Sequence, residues 1–174
     1  SRYSTNFSNP DIPVNSTLEL ALSARCLNHS VANVPSNYEF RFGAYQLQQI
    51  AASVPFLSGF LKNHIINYED RYDSSSDFIT YLIRGPNKAV GDGTSPVADL
   101  YLDFGIFGVV FGFILFGIFI KNADYKLYYG NSTSLFNWIL IMTFLSSSIY
   151  LGRVTFLFSF QRIIQIYVVI LISY

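Results

Sequence analysis

The stretch that most constrains this chain runs from Ser95 to Lys121, SPVADLYLDFGIFGVVFGFILFGIFIK. From Phe104 to Ile120 it carries no charge. Counted back through Leu100, a continuous helix would be about 31 Å long at 1.5 Å per residue. The hydrocarbon core of a bilayer is about 30 Å thick. A core helix of a soluble protein can be as apolar but is rarely as long, so the stretch reads as a transmembrane helix. Asp99 and Asp103 sit at one end and Lys121 closes the other.

This helix divides the chain into two kinds of sequence. Residues 1–98 hold seven of the eleven Lys and Arg, while residues 99–174 are mostly Ile, Leu, Phe, Val and Tyr. The expected fold is an all-α membrane protein, a multi-spanning helical bundle with a partly helical extracytoplasmic loop. Residues 1–98 form that loop region, and spans are expected near 99–121, 134–151 and 154–174. A formal net charge of zero argues against a nucleic-acid partner, which would require a basic face. The chain starts at Ser1 without a signal-peptide pattern and ends at Tyr174 inside an apolar run, so it reads as a piece of a larger membrane protein. Cys26 is the single cysteine and has no internal disulfide partner. Lys121 and Lys126 mark a short loop as cytoplasmic by the positive-inside tendency. Residues 1–98 and the turn at Arg153 then share the outer side.

Ahead of the long helix, residues 1–15 are rich in turn-forming Ser, Asn and Pro. Ser16 and Glu19 have capping-box spacing, and a helix follows with Leu18, Leu22 and Cys26 in one stripe until Pro35. Ala44 to Ser53 is helix-like, with Tyr45, Leu47 and Ile50 apolar and Gln46, Gln48 and Gln49 polar. FLSGFL at 56–61 is too short to span, the acidic and serine-rich 67–77 reads as a solvated loop, and FITYLIR at 78–84 is a short helix or strand. Beyond the long helix, Leu135 to Leu151 and the stretch from Val154 are apolar, with Tyr128, Tyr129, Trp138 and Tyr150 placed as interface anchors.

Several residues could carry chemistry. Gly105, Gly108 and Gly112 share one side of the long helix and suit close backbone packing in lipid. Asp99 and Asp103, four apart, face one way near the outer end; they are either functional or interfacial, and Asp99 also suits a helix start. Arg162 lies about 12 Å into a helix begun at Val154, unless 153–161 is a re-entrant or interfacial turn that leaves it at the surface. Arg25, Arg41, Arg84, Arg153 and Arg162 all fall on the outer side. Guanidinium forks match phosphate oxygens, so a pyrophosphate-bearing lipid fits them, and ordinary headgroup contact fits as well. His29, four residues from Arg25, could bind an anion or act as acid or base, or be a plain surface histidine. Neither His29 nor His64 has the neighbours of a metal site, and the four Asn-x-Ser/Thr triplets at Asn6, Asn15, Asn28 and Asn131 are chance matches.

The run GTSPVADLYLDFGIFGVVFGFILFGIF resembles the helix after the large outer loop of bacterial oligosaccharide repeat-unit polymerases, the O-antigen polymerase family. NYEFRFGAYQLQQIAASVPF resembles the aromatic-glycine segment of that loop, and Arg153 fits a basic residue after the next helix. The likeness covers about residues 20–174, the C-terminal third of such an enzyme. Where many relatives carry Glu before LYL, this chain has Asp99. The resemblance implies a multi-pass glycosyltransferase of the bacterial inner membrane, acting on its outer face. It would transfer a growing glycan from undecaprenyl pyrophosphate to the next lipid-linked repeat, with no metal or other cofactor. Membrane lipids and a polysaccharide chain-length regulator are further expected partners. On this reading Arg25, Arg41, Arg153 and Arg162, with Arg84 on the same side, bind pyrophosphate or glycan, and His29, Asp99 or Asp103 supplies the base. Alternatives are a ligase using the same donors, a transporter or channel with Asp103 and Arg162 lining its path, and a non-catalytic membrane scaffold.

Overall fold

The computed structural model describes residues 16–53, 74–86, 91–129, 135–148 and 150–173. The readings of residues 1–15, FLSGFL, most of 67–77, His64, Asn6, Asn15 and Asn131 fall outside them. Among the described residues the secondary structure is wholly helical. Helix α1 covers Ser16–Asn33, α2 Ala44–Ser53, α3 Ser75–Arg84, α4 Pro96–Tyr129, α5 Leu135–Ser148 and α6 Phe158–Ser173.

The buried line of α1 is set by four-residue spacing: Cys26, Ser30 and, just past the helix, Val34 are all sealed. Ser30 makes this possible by donating its hydroxyl to the Cys26 carbonyl at 2.9 Å, so no polar group is stranded. Helix α3 starts at Ser74, whose Oγ accepts the Asp77 N–H at 3.1 Å, and stops at Gly85, where φ is 78°. It lays Phe78 and Ile79 against Cys26, Val34, Tyr45, Ala98 and Leu102, which together form a hydrophobic core.

Helix α2 is partly inside out by soluble standards. Leu47 and Ile50 are 40% and 48% exposed, while Gln49 is buried at 8%. Its buried side is mixed: Tyr45 and Ala51 are sealed with the core, while Gln49 and Ser53 are buried beside polar groups.

Helix α4 is the one described helix long and apolar enough to cross a membrane, with a mean hydropathy of 2.3 in its best window and only 22% of that window buried. It is not continuous, as the apolar run alone suggested. Gly105 breaks it, at φ 64° and ψ −155°, a conformation open essentially to glycine. The chain then doubles back sharply. A Cβ built on Gly108 would lie 3.1 Å from the Leu100 carbonyl oxygen, and one on Gly112 would lie 2.6 Å from Leu100 Cδ1. In a straight helix residues 100 and 112 would be about 18 Å apart. The glycine side is therefore a packing face, as its composition suggests, and its partner is the same chain's preceding segment.

Helices α5 and α6 pair as a hairpin of 14 and 16 residues, joined through a turn at 150–157. They start and end inside the apolar stretches at 134–151 and 154–174. Phe116 of α4 meets them through aromatic contacts with Phe144, Phe156 and Phe160, at centroid distances of 5.4, 6.0 and 6.4 Å.

Candidate functional site

The break at Gly105 leaves the last carbonyls of the first half of α4 without helical partners. The loop between α1 and α2 supplies them. Arg41 donates its N–H to the Leu102 carbonyl at 3.1 Å, and Phe42 donates to Asp103 at 2.9 Å. The loop bends there through Phe42 at φ 47° and Gly43 at φ 92°. Gly43 is needed for space as well, since a Cβ would lie 2.8 Å from the Phe104 ring. Asp103 repays the contact from its side chain. Its carboxylate accepts the Tyr45 N–H at 3.3 Å and the Gln46 N–H at 3.0 Å, both in the first turn of α2. Those donors are orphaned at any helix start, and the helix dipole favours a negative group at that place.

Asp99 lies one turn earlier and is 0% exposed. It accepts Gln46 Nε2 at 2.9 Å, Gln49 Nε2 at 2.9 and 3.0 Å, and the Phe156 N–H at 2.9 Å. Gln49 turns its other end to the same turn, accepting the Leu157 N–H at 3.2 Å on Oε1, and its backbone carbonyl accepts Gln161 Nε2 at 2.6 Å. The need to present NH2 to a carboxylate fixes the orientation of both glutamine amides. One buried carboxylate thus ties α2, the first half of α4 and the 150–157 turn together. Amides rather than a cation satisfy it, which is how a buried charge without an ion pair is tolerated. Gln46, Gln49 and Gln161 carry this arrangement; the sequence marks Gln46 and Gln49 only as polar. The available signal was that Gln46 and Gln49, three apart, share a helix face.

The cations gather at the same end. Ser23 Oγ donates to the Gly152 carbonyl at 2.6 Å, and the Gly93 Cβ position lies 3.9 Å from the Arg153 carbonyl, so α1, residues 91–94 and the turn meet. Burial pushes the Cys26 thiol up, helped by the Asp92 charge; Arg153 and Arg25 both pull it down, which places both guanidinium groups in its surroundings. His29 is half-buried beside them. Burial, then the Arg25 charge, lowers its pKa below the ordinary 6.5, and Asp92 opposes this weakly. The imidazole is therefore neutral near pH 7 and able to accept a proton.

The remaining arginines divide. Arg84 grips buried Asp92 in a two-toothed pair, through Nε and through Nη2 at 2.9 Å, which raises its own pKa. Asp92 is further fixed by its N–H on Thr80 Oγ1 at 3.1 Å. Arg84 thus holds the 91–94 loop in place. Arg41 lies over the Tyr45 ring at 5.9 Å. Arg162 sits in the first turns of α6, exposed, because the helix starts at Phe158 and not at Val154. Its guanidinium rests 5.0 Å over the Phe158 ring and donates to Gln165 Oε1 at 3.2 Å. It borders a cleft of about 320 Å³ with Thr143, Ser146, Ser147 and Tyr150. Ser146 and Ser147 spend their protons on the Thr143 carbonyl at 2.9 and 2.6 Å, so they present acceptor lone pairs to the cleft. Among the described residues no three His, Cys, Asp or Glu side chains assemble as a metal-binding group.

The two stretches that carry the family likeness, 37–56 and 93–119, are thus the two partners of the clasp made by Asp99 and Asp103 with α2 and its loop, as far as they are described. The model of the family described as O-antigen polysaccharide polymerase Wzy matches residues 20–174. Comparison with curated proteins and with solved structures gave no match. The family's members are glycosyl-transferring enzymes of the inner membrane that act on lipid-linked oligosaccharide repeat units. The match takes in the clasp, the three glutamines and all five arginines, and leaves out only the first turn of α1 among the described helices; the chain belongs to the O-antigen polysaccharide polymerase Wzy family and carries its repeat-unit polymerase function.

Proposed function

We propose that the end built from α1, α2, the 91–105 segment and the 150–162 segment faces outward from the inner membrane and is where repeat units are joined. Lys121 and Lys126 lie at the opposite end of α4, which supports this sidedness under the positive-inside tendency. Helices α5 and α6 then add further spans to a multi-spanning bundle, packed on α4 through Phe116 and Phe119. The donor is a glycan on undecaprenyl pyrophosphate. Its anomeric carbon–oxygen bond to pyrophosphate breaks, and the acceptor hydroxyl of the next lipid-linked repeat forms the new glycosidic bond. Guanidinium groups stabilise the charge gathered on the departing pyrophosphate, a role that needs no metal. Arg25, Arg41, Arg153 and Arg162 take this role, while Arg84 acts through Asp92. Neutral His29 accepts the hydroxyl proton. Asp99 and Asp103 are positioning residues, because their acceptor sites are already filled by α2 and the 150–157 turn.

The observation that carries this reading is Arg162: an exposed guanidinium, propped on an aromatic ring, bordering a cleft with no carboxylate on it among the described residues. Arg162→Ala in the full-length enzyme is expected to leave protein levels normal and to shorten surface polysaccharide to single repeats still attached to their lipid anchor. Arg162→Lys keeps the charge without the fork and should give an intermediate ladder. A normal ladder in Arg162→Ala removes the assignment, and loss of attached single repeats favours ligation over polymerisation.

A further inference from the structure

Arg162 takes its direction from its own helix. Its two supports, the Phe158 ring at 5.0 Å and Gln165 Oε1 at 3.2 Å, both belong to α6. The guanidinium therefore goes where the helix goes, and the rotation of α6 decides how it meets the cleft with Thr143, Ser146 and Ser147. Successive residues of a helix stand about 100° apart, and three in a row here meet three different neighbours. Phe160 packs on α4, with its ring centroid 4.9 Å from that of Phe119 and 6.4 Å from that of Phe116. Gln161 reaches α2, where its Nε2 donates to the Gln49 carbonyl at 2.6 Å. Arg162 is left on the side of the α5 cleft. Burial of the Phe160 ring is non-directional and leaves the helix some freedom to turn, whereas a hydrogen bond weakens steeply off its axis.

The start of α6 is held at two levels. Asp99 accepts the Phe156 N–H at 2.9 Å and Gln49 Oε1 accepts the Leu157 N–H at 3.2 Å, which fixes where the helix begins. Gln161, about one turn further on, fixes how far it has turned. A rotation of about 20° would carry a group about 5–6 Å from the axis by about 2 Å. A misplacement of about 1 Å is enough to slow a reaction about a hundredfold. Gln161 does not line the cleft itself. Its amide is also not needed to satisfy α2, since the Gln49 carbonyl accepts Ser53 Oγ at 3.0 Å as well. We infer that Gln161 is a positioning residue for repeat-unit transfer: through the Gln49 carbonyl it sets the rotation of α6 and so aims the Arg162 guanidinium at the cleft. The inference rests on the role given to Arg162 above and adds what holds that group in register.

The test measures polymerisation of lipid-linked single repeats by the full-length enzyme in nanodiscs, with thermal unfolding followed on the same preparations. Gln161→Met, close in volume and without an N–H donor, is expected to lower kcat about tenfold or more, with KM within about twofold of the wild type and the unfolding midpoint within about 3 °C. Gln161→Lys, which presents an N–H donor again, should return kcat to within about threefold of the wild type. In an Arg162→Lys background the Gln161→Met exchange should lower kcat less than about threefold, because an ammonium has no planar fork to aim. A wild-type kcat in Gln161→Met, the same tenfold loss in both backgrounds, no recovery in Gln161→Lys, or a loss that comes with a midpoint lowered by more than about 3 °C overturns the inference. A wild-type rate in Arg162→Ala removes the role of Arg162 and this inference with it. A lost rate there beside a wild-type kcat in Gln161→Met refutes this inference alone.

Discussion

Replacing Gly105 by alanine tests the break in α4, on which the placement of both acids depends. If residues 96–129 formed one straight helix, alanine would be the better helix former and would stabilise the enzyme by about 1 kcal/mol. At φ 64° and ψ −155° the sign reverses. A side chain held in that region costs about 1–3 kcal/mol. The new Cβ would also lie 3.1 and 3.2 Å from two atoms of the Phe40 ring, tighter than ordinary contact. Crowding of this kind adds about 1–2 kcal/mol, since the ring can shift only by disturbing the loop that caps residues 102 and 103. The expected loss is about 2–5 kcal/mol. At about 2–4 °C per kcal/mol for 150–250 residues, the unfolding midpoint should fall by about 4–20 °C, and by less in a longer chain. Thermal unfolding of the full-length enzyme in nanodiscs reads this, with Gly117→Ala as the reference. No atom lies within 4 Å of a Cβ on Gly117, so alanine there should hold or slightly raise the midpoint. Phe40→Ala in the Gly105→Ala background should recover the crowding part and leave the backbone part. A Gly105→Ala midpoint at or above the wild type would mean that the helix runs straight, and the clasp would fall with the break.

The positioning role of the acids is open to direct test. Asp99→Asn with its oxygen in the Oδ2 place still accepts from Gln46, Gln49 and Phe156, but sets an NH2 against Gln49 Nε2 in the Oδ1 place, at about 1–3 kcal/mol. Activity should be lost in step with the unfolding midpoint; lost activity at a wild-type midpoint would make Asp99 catalytic. Asp103→Ala removes a cap from α2 at about 1 kcal/mol, and faster hydrogen exchange should be confined to residues 40–53, with exchange spread through α4 counting against the cap. For His29 the folded-state pKa is depressed by burial and by Arg25, so the neutral form is the native one. Its contribution to stability is present above 6.5 and is lost as pH falls through the lowered value. The acid limb of activity should lie below 6.5 and move up in Arg25→Gln; an unmoved limb removes His29 from the proton path.

Much of this arrangement was legible locally. The membrane helix follows from an uncharged apolar run, α1 from its spacing, and the shared side of Arg25 and His29 from four-residue geometry. Residues 78–84 read as either helix or strand, and the start of α3 at Ser75 lies inside what reads as a solvated loop. The other misreadings are long-range. Glycine inside an apolar run is ordinary in a membrane helix, so LDFGIFG carries no local sign of a break. What makes the break is a loop some sixty residues earlier that supplies N–H donors to residues 102 and 103. Asp103 caps a helix 58 residues before it, whereas capping patterns relate residues within one turn. The burial of Gln49 reads as an error only if the interior is assumed apolar; here the interior at α2 is a carboxylate.

These features have one physical origin. An aspartate carried into the middle of a bilayer costs about 2.5–3.5 kcal/mol, and Asp99 and Asp103 four apart on one helix face would also repel each other. Breaking the helix at Gly105 folds both acids out of the span and against donors that themselves lack partners: the start of α2, the glutamine amides and the 150–157 turn. The uncharged part that remains, from Ile106 to Ile120, is about 22 Å long, so the helix bridges a core of about 30 Å only with Lys121 and Lys126 reaching to the far interface. The same fold-back carries Leu100 across Gly112, while the donors it recruits fix the backbone next to Arg41 and Arg153. The acids thus fix the backbone beside Arg41 and Arg153, and a chain with a straight helix here would keep every charged residue and lose those hydrogen bonds.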